Sequence, residues 1–577
     1  DPTGSPSQIL GSITAQGQVY VINQNGIIFG GASNVNVHTL VASSLPINDY
    51  LITRGLLNNP DTQFLFSALP MSAGAKGAPA FTPPPANTPD GRSGDVVVQA
   101  GAQITAPTTA DHVGGRVVLV GPNVRNSGTI ATPDGQTILA SGLQVGFDAH
   151  SSSDASLRGL DVYIGAVSDA AHGEYAGATV NEGLIEAYRG SITLAGKNVS
   201  HLGAIESSTT VSLNGRIDLL ANYNAIGNTQ YDAATPTNGL PFLHRASGSV
   251  TVGAKSVMRI LPEWSSTEKA VGTALPLQSQ VNVQGLAVHF GENAALLAPN
   301  AKVAISAGVW DLVAQGTGFN SKFIRSAGQI YLDKGVRIDV AGSTDVAVAL
   351  AQYLIEVQLR GAELANSPVQ RAGVLRGPTL TVDLRQKGAY NGSTWYGTPL
   401  ADLSGYVNII QRSAGELTAR GGSVSLSAGE SVVMQKGAVI DVSGGYLRHE
   451  AGFVQTTRLL QGGRLVDIND ATPDQIYDGI YTGKFATTST RWGVTKTYAV
   501  PWMSGGHYQQ SYVEGANGGS IDISAPAMAL DGEMRGHTVT GPRQRSSKPE
   551  ASSLSLKLDA QQLIAEKDYP LHAPTPP

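Results

Sequence analysis

Asn181-Glu-Gly-Leu-Ile185, Gly190-Ser-Ile-Thr-Leu194, Gly203-Ala-Ile205 and Gly215-Arg-Ile-Asp-Leu219 follow one another in a single short stretch, and their order decides the fold. In Gly190–Leu194 the alternation places Ile192 and Leu194 on one face of a strand and Ser191 and Thr193 on the other. Gly215–Leu219 repeats this with Ile217 and Leu219. Gly183 and Gly203 are 20 residues apart, and Gly190 and Gly203 are 13 apart, the same offset as between Gly115 and Gly128. Two phrases that keep a fixed offset within a period of ~20 residues describe a solenoid, with stacked Gly/Asn corners and each strand paired to its copy in the next coil. A β-sandwich could use the same strands but gives no reason for the offset.

The first phrase recurs outward from this stretch as Gly94-Asp-Val-Val-Val98, Gly115-Arg-Val-Val-Leu119, Gly248-Ser-Val-Thr-Val252, Gly328-Gln-Ile-Tyr-Leu332, Gly422-Ser-Val-Ser-Leu426 and Gly519-Ser-Ile-Asp-Ile523. The second recurs as Asn126-Ser-Gly-Thr-Ile130 and Gly437-Ala-Val-Ile440. The expected architecture is an all-β parallel β-helix, with two strands per coil and lateral loop or strand excursions. Roughly 15 to 20 coils at ~4.8 Å each give a shaft of ~70–95 Å. Ile192, Leu194, Ile217, Leu219, Ile330, Leu332, Val424 and Leu426 are expected to point into it.

Composition agrees. Among 577 residues, 69 are glycine and only 14% are charged, where ~25% charged is usual. That favours turns and short strands over charged helices. The absence of cysteine excludes disulfide scaffolds, Cys-ligated zinc and thiol nucleophiles, and is compatible with export in an unfolded state. A net charge of −6 gives no case for nucleic acid as a partner. No apolar run reaches the length of a membrane-spanning helix.

The rhythm divides the chain. Residues 1–69 read as first coils, 70–93 as a Pro/Ala/Gly-rich loop and 94–342 as β-helix coils with an excursion near 222–247. Residues 343–420 read as a strand-containing excursion, 421–445 as a coil, 446–517 as an aromatic-rich excursion, 518–541 as a coil and 542–577 as a loose C-terminal tail.

The most specific segment is Gln8-Ile-Leu-Gly-Ser-Ile-Thr-Ala-Gln-Gly-Gln-Val-Tyr-Val-Ile-Asn-Gln-Asn-Gly-Ile-Ile-Phe-Gly30, followed by Leu40-Val-Ala-Ser43. It reads as strand, glycine corner, strand, Asn25-Gly26 turn and strand. It resembles the secretion domain of filamentous haemagglutinin-like exoproteins of two-partner secretion, most closely over residues 8–48. Gln24 stands where that family's Asn-Pro-Asn-Gly-Ile carries proline. The resemblance implies a right-handed β-helix, and a partial secretion domain over 1–69 whose first part precedes Asp1. It implies export through an outer-membrane barrel transporter, with Asn23, Asn25 and Gly26 recognised by that partner. It also implies a secreted or bacterial cell-surface location and a role in adhesion, aggregation or biofilm. Surface glycans, matrix polysaccharide or self-association into filaments are the further partners it suggests.

Catalytic motifs are missing. No H-E-x-x-H, G-x-S-x-G or G-x-x-x-x-G-K-[ST] pattern occurs, so the expectation is a non-enzyme without metal or cofactor. Paired carboxylates could still converge in space, so a glycan-binding or glycan-cleaving β-helix is the alternative. Trp395, Tyr396, Trp492, Trp502 and Tyr508 are candidate contacts for glycans or protein partners, because such rings join a flat apolar face to a polar handle. The same rings could instead build a small core for the excursion itself.

Overall fold

The computed structural model describes residues 4–54, 62–74, 76–150, 157–231, 240–315, 318–500 and 506–558. Its centre is a parallel β-helix with three faces. Face 1 is an 11-stranded sheet running from Ser7–Ile9 to Ala527–Leu530. Faces 2 and 3 belong to a 20-stranded sheet whose Ser12–Ile22 and Asn34–Ser43 strands run through the intervening corner and serve both faces. Each face therefore holds eleven rungs. A representative coil passes through Ala178–Asn181, Leu184–Ala187 and Ser191–Ala195 before the next begins at Asn198–His201. Leu184 sits over Ala204, one 20-residue period on, and Ile192 over Ile217.

The interior is filled by stacks of like residues. On face 2, Ile104, Ile130, Ile185, Ile205 and Met258 follow one another in register. All eight residues expected to point inward are fully buried. Stacking identical branched side chains satisfies two demands together: inter-coil hydrogen bonds align the backbones, and the aligned β-carbons pack without voids.

Four expectations change. The pattern predicts two strands per coil, and the structure has three. The Gly-led phrase occupies two different faces: Gly94, Gly248 and Gly328 open strands of face 1, whereas Gly115, Gly190, Gly215, Gly422 and Gly519 open strands of face 3. Both faces present the same alternation, so periodicity alone merges them. Among the described residues the shaft also has eleven coils rather than 15 to 20, and eleven rungs span about 50 Å. The remaining chain leaves the shaft sideways. Besides the expected excursions, residues 142–177, 263–279 and 308–328 depart from what reads as continuous coil. They carry alternating strands of their own, such as Val309–Gln315 paired antiparallel with Gly318–Ile324. Conversely, Ser553–Lys557, inside the stretch expected to be a loose tail, pairs in parallel with Ser520–Ser524 through the alternating Leu554 and Leu556.

The departures are ordered. The corner between faces 1 and 2 has two or four residues in every coil. Where it has four, the third residue is commonly left-handed, as at Gly101, Lys255, Asn293, Gly335 and Gly437. Excursions leave only at the other two corners. Those over 44–95, 142–177, 222–248 and 308–328 leave between face 3 and the next face 1; those over 263–279, 340–422, 442–519 and 536–552 leave between faces 2 and 3. The first group covers the outer side of face 3, where Val41, Val118 and Ile138 join Leu45, Phe66 and Val145 in a second core. The large lobe formed jointly by the excursions over 343–420 and 446–480 has a third, built on Leu359, Leu380, Val382, Leu403 and Leu459.

Candidate functional site

The Asn23–Gly26 turn links the first coil to the second. The Asn23 Oδ1 accepts the backbone N–H of Asn25 at 3.1 Å, and the Gly26 N–H donates to the Asn23 carbonyl at 3.0 Å. This is an Asx-type turn, closed by a side chain that imitates backbone. Gly26 has φ +110 and lies under Asp95 of the following coil, whose carbonyl would stand 3.0 Å from any β-carbon. The Asn23 amide also reaches back to the Ser7 hydroxyl at 2.9 Å and the Ser5 carbonyl at 3.2 Å. Asn23, Asn25 and Gly26 are buried in the finished shaft. Gln24, which takes the proline position, is half-buried and donates through its amide to the Pro84 carbonyl at 3.0 Å. The Pro/Ala/Gly-rich loop thus lies over the turn, a contact that nothing in local sequence announces.

The aromatic candidates do not gather in one place. Trp395 and Tyr396 are neighbours on the Ser393–Tyr396 strand, so alternation sends them to opposite faces. Trp395 lines a cavity of about 750 Å³ in the large lateral lobe, together with Tyr390, Asp402 and Asp474. Trp492 is 72% exposed on the hairpin of Lys484–Ser489 and Val494–Ala499, where it borders a separate recess of about 490 Å³ with Lys496 and Tyr498. Tyr508 is also exposed and meets Phe453 edge-on at 5.5 Å, where the His507–Gln509 strand pairs antiparallel with Gly452–Val454. Trp502 lies outside the described residues. None of the four described candidates supplies the lobe's buried core, which is aliphatic with Tyr353 and Tyr477.

Two polar groupings escape sequence reading. Inside the shaft, at the face 1–face 2 corner, Asn126, Asn181 and His201 stack in successive coils. The Asn126 amide donates to the Asn181 Oδ1 at 2.8 Å, and the Asn181 amide meets the His201 Nδ1 at 3.3 Å. The His201 Nε2 lies 3.1 Å from the Val257 carbonyl. Burial pushes the His201 imidazole down to about 4. The signal was present: Asn126, Asn181 and His201 each stand two residues before a corner glycine.

Outside face 3, Asp148 and Asp161 oppose each other on the antiparallel Gln144–Ala149 and Leu160–Ile164 strands. Burial, with Asp161 opposite, pushes the Asp148 carboxyl up to about 6. Asp161 faces His150 at 3.4 Å, and the nearby buried Asp218 pairs with Arg216 at 2.8 Å. Among the described residues, no group of three or more His, Cys, Asp or Glu side chains could hold a metal ion, and no helix is long and apolar enough to cross a membrane.

No protein-family model matches the chain, and no curated protein matches it. Among solved structures, the HMW1 secretion domain from Haemophilus influenzae is similar, with 18% identity, a TM-score of 0.34, and coverage of 57% of this chain and 66% of that one. The match therefore spans just under two thirds of that domain's length.

Proposed function

We propose that this chain is a secreted, non-catalytic structural or adhesive exoprotein, exported by two-partner secretion through an outer-membrane barrel and acting at the bacterial cell surface in adhesion, aggregation or biofilm. The observation that carries the reading is the Asn23–Gly26 turn: Asn23 and Asn25 are each 5% exposed once the coils have formed. A transporter that reads this motif must do so before the chain folds. The neighbouring Val19-Tyr-Val-Ile22 segment then offers an extended strand to an open sheet edge on the partner. The shaft that remains outside the cell is a rigid spacer bearing lateral lobes.

The test replaces Asn23 and Asn25 together by alanine, and measures surface delivery beside refolding of the purified chain. Delivery should fall while the coils from Gly190 onward still fold, because solenoid coils depend mainly on their neighbours. Normal delivery, or a loss matched by global unfolding, defeats the recognition role. A glycan-cleaving reading draws its support from the raised Asp148 carboxyl beside Asp161. Hydrolysis of a surface polysaccharide that is abolished by Asp148→Asn would establish it in place of the non-catalytic one.

A further inference from the structure

We propose that the cavity beside Trp395 binds a neutral hexopyranose unit of a glycan. The inference deepens the adhesive reading and rests on it for its setting, while its geometry stands alone. The cavity, about 750 Å³ and open on one side, is lined by residues 365–369, 390–391, 393–395, 399–402 and 473–474 of the lateral lobe, a size suited to a small ligand.

Its platform is the Trp395 indole. On the paired strand Gly388 lies directly opposite Trp395, and a β-carbon there would come within 2.6 Å of the indole Cζ2. Only glycine lets the ring lie flat on the backbone. One face of the indole is thus fixed by the hairpin, while the residue borders the cavity. A seated ring loses little freedom on binding and offers a flat apolar surface to the C–H face of a pyranose.

The rim supplies hydrogen-bonding groups at fixed positions. The Tyr390 hydroxyl donates to the Asp474 Oδ1 at 2.6 Å, and the Asp402 Oδ1 accepts the Ser404 N–H at 3.0 Å. Asn391, at the hairpin tip with φ +47, adds an amide. Each carboxylate keeps lone pairs beyond these bonds, enough to accept two neighbouring sugar hydroxyls. The Tyr390 hydroxyl holds the Asp474 carboxyl below its usual range, and the Ser404 hydroxyl does the same for Asp402. Both are therefore ionised at neutral pH. Two anionic acceptors favour hydroxyl donors and repel the carboxylate of a sialic or uronic acid. They also argue for binding over cleavage, since a hydrolytic pair needs one carboxyl held protonated. The recess at Trp492 lacks this construction: its lining has no carboxylate, and its indole stands 72% exposed.

The test titrates the full chain with methyl β-D-glucopyranoside, methyl β-D-galactopyranoside and methyl α-D-mannopyranoside, with N-acetylneuraminic acid as the charged counterpart. Binding is followed by saturation-transfer NMR and calorimetry. At least one neutral glycoside should bind saturably at millimolar concentration, and N-acetylneuraminic acid should not. Trp395→Ala should weaken that binding about tenfold or more, in line with the worth of a stacked ring. Should Trp395→Ala disturb the hairpin, the shape-preserving Asp402→Asn/Asp474→Asn pair decides, and it should weaken binding severalfold with an unchanged melting temperature. Absence of binding to all three glycosides overturns the proposal. So does equal binding of N-acetylneuraminic acid, or affinity untouched by these substitutions. All of these variants should reach the cell surface like the parent, so a failure of this site is distinct from a failure of the export reading.

Discussion

Acidification should loosen the shaft at His201, and the size of the effect can be worked from the ladder that holds it. The Val257 carbonyl can only accept, so the His201 Nε2 carries the ring proton and the Nδ1 accepts from the Asn181 amide. That amide is oriented in turn by the Asn126 amide, which donates to its oxygen. A second proton on the Nδ1 would face another N–H, and relieving that contact means turning Asn181 and breaking its bond to Asn126. Burial acts in the same sense, and together with full enclosure it brings the ring to about 4 from an ordinary 6.5. The folded state therefore binds fewer protons than the unfolded state between these values, and stability falls as pH drops through 6.5 toward 4. At pH 5 the loss is about 2 kcal/mol, taking 1.36 kcal/mol per pH unit. The assay is hydrogen exchange of the amides in residues 178–209 at pH 7.5 and pH 5, corrected for intrinsic rates, in the parent and in His201→Asn. The substituted asparagine cannot titrate. It shifts stability by a constant amount and should remove the His201 share of the pH dependence. His244, also driven to about 4 by burial, titrates equally in both proteins and cancels. Equal pH dependence in the two, or tighter protection of the parent on acidification, would refute the account.

Asp148 should behave in the opposite way. Its carboxyl is raised from an ordinary 3.8 to about 6, so between those values the folded state holds the proton that the unfolded state has lost; stability declines as pH rises through that window and the loss is complete above it, so Asp148→Asn should stabilise the chain at pH 7.5 by about 1–2 kcal/mol after allowance for solvent screening, read as a shift in the urea midpoint. Gly115→Ala should destabilise the first coils by about 1–3 kcal/mol, because its β-carbon would fall 1.6 Å from the His38 carbonyl oxygen. The matching control is Gly405→Ala, where nothing lies within 4 Å; it should leave thermal unfolding unchanged or raise its midpoint slightly, since alanine suits a helix better than glycine.

The coils were legible because their information is local and repeated. Ile192 and Leu194 show their inward face by alternation, and the 20-residue step from Gly183 to Gly203 is one physical turn, in which Leu184 pairs with Ala204. What could not be read is which face a strand belongs to. Gly94-Asp-Val-Val-Val98 and Gly115-Arg-Val-Val-Leu119 look alike but lie on faces 1 and 3, because the inward side of any face asks for the same alternation. Excursions hide for a related reason. The Leu160–Ile164 strand packs its alternate residues against the outside of face 3, and a strand carries no mark saying which side of a sheet it will cover.

The candidate sites divide along the same line. The Asn23–Gly26 turn was readable because its bonds join residues two and three apart, and turn chemistry is written at that range. The Trp395 cavity was not, because its walls come from segments as distant as residues 365–369 and 473–474. Grouping the aromatics by their closeness in sequence joins Trp395 to Tyr396, where strand alternation separates them, and it passes over Asp474, whose carboxylate is bonded to Tyr390 from 84 residues away. The informative local mark was Gly388. A glycine inside a strand costs order, and it persists where something must lie close against the backbone. Here that something is the indole of Trp395 on the paired strand. A glycine set opposite a tryptophan across a hairpin turn is thus a better pointer to a seated ring than any density of aromatic residues.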